Sequence, residues 1–187
     1  MANARFYNSD GYGQIEPNQV QFTRTGAIEA QCKLSSDFSA TLPLENGMLV
    51  VVDKANGVVA LAKQTETRPF AIVYTHEATT NQFAPGLKNF KMEDNNGFYP
   101  RVGYLSVGDL FTTNCVAADT AVYSNAAALN AALVSVPTVP MYGGYTTDLG
   151  AIAVSTVAPT AGPVLGVVKK TTMADGQTAI QFTVLSV

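Results

Sequence analysis

Charge is what this sequence has least of. Asp, Glu, Lys and Arg make up 13% of its 187 residues, about half the share usual in globular proteins. Thr, Ser, Asn and Gln must therefore supply much of the polar surface, and a surface so thinly charged is poorly protected against association. The densest basic run is Lys169-Lys170 and the formal charge is −3, so binding to nucleic acid through its phosphates is not expected. No apolar run approaches the length that spans a membrane. The opening residues MANARFYNSDGYGQ lack the apolar stretch of a secretory signal. Neither a nucleic acid nor a membrane is expected as a partner.

Groups that carry chemistry are equally scarce. His76 is the single histidine. His76-Glu77 opens like the H-E-x-x-H of zinc proteases, but the fifth residue is Thr80, and with no second histidine a histidine-based zinc site is excluded. A Ser–His–Asp triad would have to use His76. The nearest approach to a nucleophile elbow, Gly103-Tyr104-Leu105-Ser106-Val107-Gly108, has one residue too many, and Ser106 reads as an ordinary strand serine. No glycine-rich phosphate loop is present. Glu93-Asp94-Asn95-Asn96-Gly97 offers oxygens without the closing Glu of a calcium loop, and reads as a solvated turn. Carboxylate pairs of the glycosidase kind are distant in sequence and leave no spacing to read. The absence of Trp argues against a sugar-stacking site. The expectation is a protein that is not an enzyme and uses no cofactor or metal. Cys32 and Cys115 are far apart, as expected of two unpaired core thiols in a chain made in a reducing cytoplasm.

What the sequence does contain is β-structure. Residues 45–74, ENGMLVVVDKANGVVALAKQTETRPFAIVY, read as a hairpin followed by a third strand. Asn56-Gly57 suits a two-residue turn, because both central positions need positive φ. That turn predicts Val52 opposite Leu61 and Val51 opposite Ala62. Val50, Val52, Val59 and Leu61 then share one face, and Leu49, Val51, Val58, Ala60 and Ala62 the other. Neither face is polar, so both are expected to be covered, by core on one side and by another element or subunit on the other. A closing hairpin is predicted from Val164–Thr171 and Gln177–Val184 around Asp175-Gly176, with Ile180, Phe182 and Val184 alternating with Gln181 and Thr183. The one helix candidate is Ser124–Val134, with Ser124 or Asn125 as cap and Leu129 and Leu133 on one face.

Before residue 35 the chain reads as an extended arm. Phe6, Tyr7, Tyr12, Ile15, Val20 and Phe22 lie among Asn, Gly and Gln without helical period, and Gln19–Thr25 alternates like a half-buried strand. These six are the candidate interface residues, on an arm suited to lie along a neighbour and add hydrogen bonds to its strand edge. Deleting residues 1–20 is accordingly expected to leave the fold intact. The fold class expected is mainly β, a small barrel or sandwich with an extended N-terminal arm and at most one short helix. Residues 1–34 would form the arm and first strand, and 35–187 a single barrel-like domain with loop insertions at about 77–100 and 124–163.

Several segments together resemble the capsid decoration (cement) proteins of tailed bacteriophages and related small head proteins. They are Glu45-Asn46-Gly47-Met48-Leu49-Val50-Val51-Val52-Asp53, Gly57-Val58-Val59-Ala60-Leu61-Ala62, Arg101-Val102-Gly103, Val107-Gly108-Asp109-Leu110-Phe111, Val164-Leu165-Gly166-Val167-Val168, Asp175-Gly176 and Ile180-Gln181-Phe182. The resemblance is one of pattern, spanning residues 45–187, and no binding residues transfer through it. It implies a small β-barrel whose strands are introduced by glycine turns. It implies also a homo-oligomer, in three copies, on the outside of a virion and bound to the major capsid protein, with an N-terminal segment along the shell. A tail-tube or other virion subunit, and a receptor- or carbohydrate-binding β-module, are the alternative expectations.

Overall fold

The computed structural model describes residues 11–63, 65–75, 90–94, 99–118, 123, 126–133, 136–146 and 149–187. The chain is mainly β, as the sequence predicts, and its two sheets form a sandwich-like fold without a closed barrel. A six-stranded sheet runs β2 (Ile28–Glu29), β7 (Val102–Tyr104), β6 (Phe70–Val73), β4 (Leu49–Asp53), β5 (Val58–Ala60), β3 (Lys33–Leu34). A seven-stranded sheet runs β1 (Ile15–Gln19), β8 (Leu110–Thr113), β13 (Thr178–Ser186), β12 (Val164–Thr172), β10 (Tyr142–Tyr145), β11 (Ile152–Ser155), β9 (Val116–Ala118). Neighbours are antiparallel except for the parallel pairs β3–β5 and β9–β11. Two helices, α1 (Phe22–Thr25) and α2 (Ala126–Ala132), complete the described elements.

The main core lies between the sheets. Leu49, Val51, Ala60, Phe70 and Ile72 of one sheet meet Phe111, Ile152, Leu165, Ile180, Phe182 and Val184 of the other. The predicted helix is present as α2 and delivers Leu129 and Leu133 to this core. Its expected caps, Ser124 and Asn125, fall outside the described residues. A second core covers the opposite face of the six-stranded sheet, where Val50, Val52, Val59 and Leu61 pack with Leu34, Phe38, Leu44, Phe90 and Met92. Both faces of the central hairpin are thus covered, as expected, and of the two covers expected for the second face, another element or a subunit, it is the chain's own elements that supply it.

The hairpin pairs antiparallel as predicted, in a different register. Val52 opposes Val59 and Val51 opposes Ala60, so four residues, Lys54–Gly57, form the loop. The cause is Asp53, whose carboxylate accepts the Asn56 backbone N–H (3.0 Å) and its side-chain Nδ2 (2.9 Å). Such an Asx contact stabilises a wider loop than the dipeptide alone suggests. The shift is two residues, and because side chains alternate with period two, each keeps its predicted face.

One turn geometry launches a strand in each sheet. The Met48 N–H bonds to Glu45 O before β4, and the Asp109 N–H to Ser106 O before β8. Gly47 (φ +84°) and Gly108 (φ +91°) hold the third position, which in a type II turn requires positive φ.

Three expectations are corrected. Residues 124–163 are not a loop insertion: they supply α2 and the interior strands β10 and β11. The segment before residue 35 is not a free arm from residue 15 onward, because β1 pairs with β8, β2 with β7 and β3 with β5. The described residues contain two helices rather than at most one. The predicted strand Gln19–Thr25 turns after β1 into α1, which Gly26 ends in a left-handed conformation. Phe22 thereby drops flat onto β7, where Gly103 leaves room and any Cβ would run into its ring.

Candidate functional site

The six candidate interface residues separate once folded. Phe6 and Tyr7 lie outside the described residues. Tyr12 is half-buried, with the Lys91 ammonium 5.1 Å from its ring centroid. Ile15 is half-buried against the main core, while Val20 and Phe22 are fully inside it. Those last two are core residues, not surface for a neighbour. Apolar burial within the chain has claimed Val20 and Phe22, two of the six groups assigned to an interface.

Polar contacts fix the same segment. The Gly13 N–H donates to Glu45 Oε2 (2.6 Å), and the Gln14 N–H to Asn114 Oδ1 (2.8 Å). Thr113 Oγ1 donates to Gln14 O (2.6 Å), and Gln14 Nε2 to Asp175 Oδ2 (2.9 Å). Glu45, Thr113 and Asn114 are themselves buried, so the first three of these bonds are shielded from competing water. Burial alone would raise the Asp175 carboxyl, but the bonds from Gln14 and Gln177 outweigh it and lower it. Residues from Gly13 onward are therefore anchored to β8 and to the tip of the β12–β13 hairpin.

A concave site opens at the other sheet. A cleft of about 490 Å³ is lined by Val52, Asp53, Lys54, Ala55, Arg68, Pro69 and Tyr104. It forms where the widened β4–β5 loop stands beside the entry to β6 and the end of β7. An ion-pair network stiffens its rim. Arg68 Nε and Nη2 each donate to Glu66 at 2.7 Å, and Nη1 donates to Asp53 at 3.3 Å. Glu66 also accepts the backbone N–H groups of Thr67 and Arg68, and its side chain is only 4% exposed. Those bonds, with the Arg68 side chain foremost, hold the Glu66 carboxyl at about 2. Sequence reading passed over this region because its parts, Asp53-Lys54, Glu66-x-Arg68 and Tyr104, meet only across three strands.

The remaining sequence candidates lie in a turn, in the core or outside the described residues. Ser106 stands in the turn before β8, where its N–H donates to Asp109 Oδ2 (2.9 Å). His76 and residues 95–98 fall outside the described residues. Cys32 and Cys115 are both buried, and burial, followed by Glu29, raises the Cys32 thiol. Among the described residues no helix is long and apolar enough to cross a membrane. No known family model, curated protein or solved structure matches the chain.

Proposed function

We propose that this chain is a non-enzymatic virion structural protein of the capsid-decoration kind. It is made in the host cytoplasm, self-associates in three copies, and bridges major capsid protein subunits on the outer shell. The observation that supports this reading is apolar surface left over after the core is complete. Val107, Val136, Val139, Val157, Leu185 and Val187 are all about half exposed or more, on a chain with 13% charged residues. They cannot be explained by an unfinished interior, since both faces of the six-stranded sheet are already covered. Burying such groups against a shell is worth roughly 25 cal/mol per Å², and each bound copy adds contacts that expansion or rupture must break. Interface area alone sets no affinity, so the reading rests on direct binding.

The test mixes the protein with undecorated capsids and measures the bound fraction by co-sedimentation and the temperature of particle rupture. Binding with a raised rupture temperature is expected, and Val139→Asp combined with Val157→Asp should reduce both while the protein stays folded. A form beginning at residue 11 reports on the arm, since it keeps the strand β1 that a cut at residue 20 would remove. A full-length protein that remains monomeric and binds no shell overturns the reading.

A further inference from the structure

The cleft at the end of the six-stranded sheet has the size of a ligand site, about 490 Å³ against the roughly 300–1,000 Å³ of small-molecule pockets. Its walls are mostly apolar: Val52, Ala55, the Pro69 ring and the Tyr104 ring. Its charged groups are unequally committed. Asp53 is occupied by Asn56 and Arg68, and Arg68 by Glu66 and Asp53. Lys54 makes no ion pair among the described residues, and its Nζ rests 5.4 Å from the Tyr104 ring centroid. The lysine is exposed, so swinging it off the ring costs little packing. The hydroxyl oxygen of the same Tyr104 is buried with no hydrogen-bond partner among the described residues. Folded proteins seldom leave such a group unsatisfied.

The geometry points to a binding site for a small organic carboxylate whose body has an apolar face. The carboxylate pairs with Lys54, the one cation of the cleft whose donors are uncommitted among the described residues. The body lies against Tyr104 and Pro69 in the space the lysine vacates, and a polar group on it reaches the Tyr104 hydroxyl. A cation finds the rim carboxylates already engaged, Glu66 by Arg68 and Asp53 by Arg68 and Asn56. Binding is non-covalent and independent of attachment to a shell. An aromatic acid and a uronic sugar both carry this chemistry.

Amide chemical-shift titration of the full-length protein with cinnamate, glucuronate and neutral cinnamyl alcohol tests the site. Saturable shifts at residues 52–55, 68 and 104 are expected for at least one acid, in the millimolar range of Kd, with cinnamyl alcohol binding at least threefold more weakly. Which acid binds identifies the body. Lys54→Gln should weaken the acid about threefold, as an exposed ion pair allows. Tyr104→Phe should leave the thermal midpoint of the free protein unchanged or raised, because it removes an unpartnered hydroxyl, yet weaken the acid. Equal binding of alcohol and acid, shifts centred elsewhere, no saturation by either acid, or a lowered midpoint for Tyr104→Phe would each overturn the assignment.

Discussion

In β4 of the six-stranded sheet, Leu49, Val50, Val51 and Val52 are consecutive and all buried. In β13 of the seven-stranded sheet, Ile180, Phe182 and Val184 are buried while Gln181, Thr183 and Leu185 face outward. The first strand has core on both faces, the second on one. A strand covered on both sides has no position at which a polar side chain is free of desolvation cost, so its sequence loses alternation. A strand covered on one side keeps it. The outer face of the seven-stranded sheet shows what the freed positions do: Asn18 Oδ1 accepts from Thr112 Oγ1 at 2.7 Å and from Gln181 Nε2 at 3.3 Å.

Single substitutions should reproduce that contrast. The largest effect is expected for Phe182→Ala, which empties a fully buried site and should cost about 3–5 kcal/mol, while Thr183→Ala beside it stays within roughly 0.5 kcal/mol. Denaturant titration reads both, and similar losses would mean that β13 is covered on its outer face too.

The paired glycine turns come next. Gly47 and Gly108 both have positive φ, but a Cβ at Gly47 collides with Thr113 Oγ1 whereas one at Gly108 meets nothing within 4 Å. Gly108→Ala should cost only backbone strain, roughly 1–2 kcal/mol, and Gly47→Ala clearly more. Equal costs would show that the Gly47 turn can move away from β8.

In the six-stranded sheet, Val50→Ala and Val51→Ala point to opposite faces and should each cost about 2 kcal/mol. A neutral result at Val50 would mean that the cover supplied by Phe38, Leu44 and Met92 is absent in solution.

The smallest effect is on acidification. Glu66 is lowered from 4.5 to about 2, so its stabilisation is complete above pH 4.5 and lost as pH falls toward 2. The full shift corresponds to roughly 3 kcal/mol, which solvent reaching the partly exposed Arg68 reduces to about 1–2 kcal/mol. Asp37 and Asp53 on the same sheet are lowered as well. At Asp37 the bonds from Ser35, Leu61 and Lys63 outweigh burial, and at Asp53 those from Asn56 dominate. Hydrogen exchange at pH 3 should therefore open the β4–β5 end of the six-stranded sheet before the long β12–β13 hairpin. The reverse order would place the acid-sensitive groups elsewhere.

Local pattern made part of this legible. The β-branched runs identified β4 and β5, strict alternation identified β13, and Leu129 with Leu133 marked α2. Face assignments survived even where register did not, because a two-residue slip preserves parity. What misled was reading residues 13–34 as part of an arm with a single first strand. Its residues are sparse in apolar groups, but Val20 and Phe22 find a complete pocket, and Gly13 and Gln14 find acceptors 32 and 100 positions away. The cleft was illegible for the same reason, since no spacing rule links Lys54 to Tyr104.

By itself the sequence determined the class of structure and the faces of its strands, because both follow from the period of apolar side chains within a few residues. It also determined the scarcity of charge that leaves exposed valines poorly guarded. Only the tertiary structure decided which apolar groups were spent inside. It folded the segment carrying Phe38 and Leu44, with Phe90 and Met92, over the second face of the central hairpin, and tied Gly13 and Gln14 to buried acceptors. It also brought Lys54 over the Tyr104 ring. Those outcomes depend on contacts between residues tens of positions apart, whose energies exist only after the chain has closed on itself.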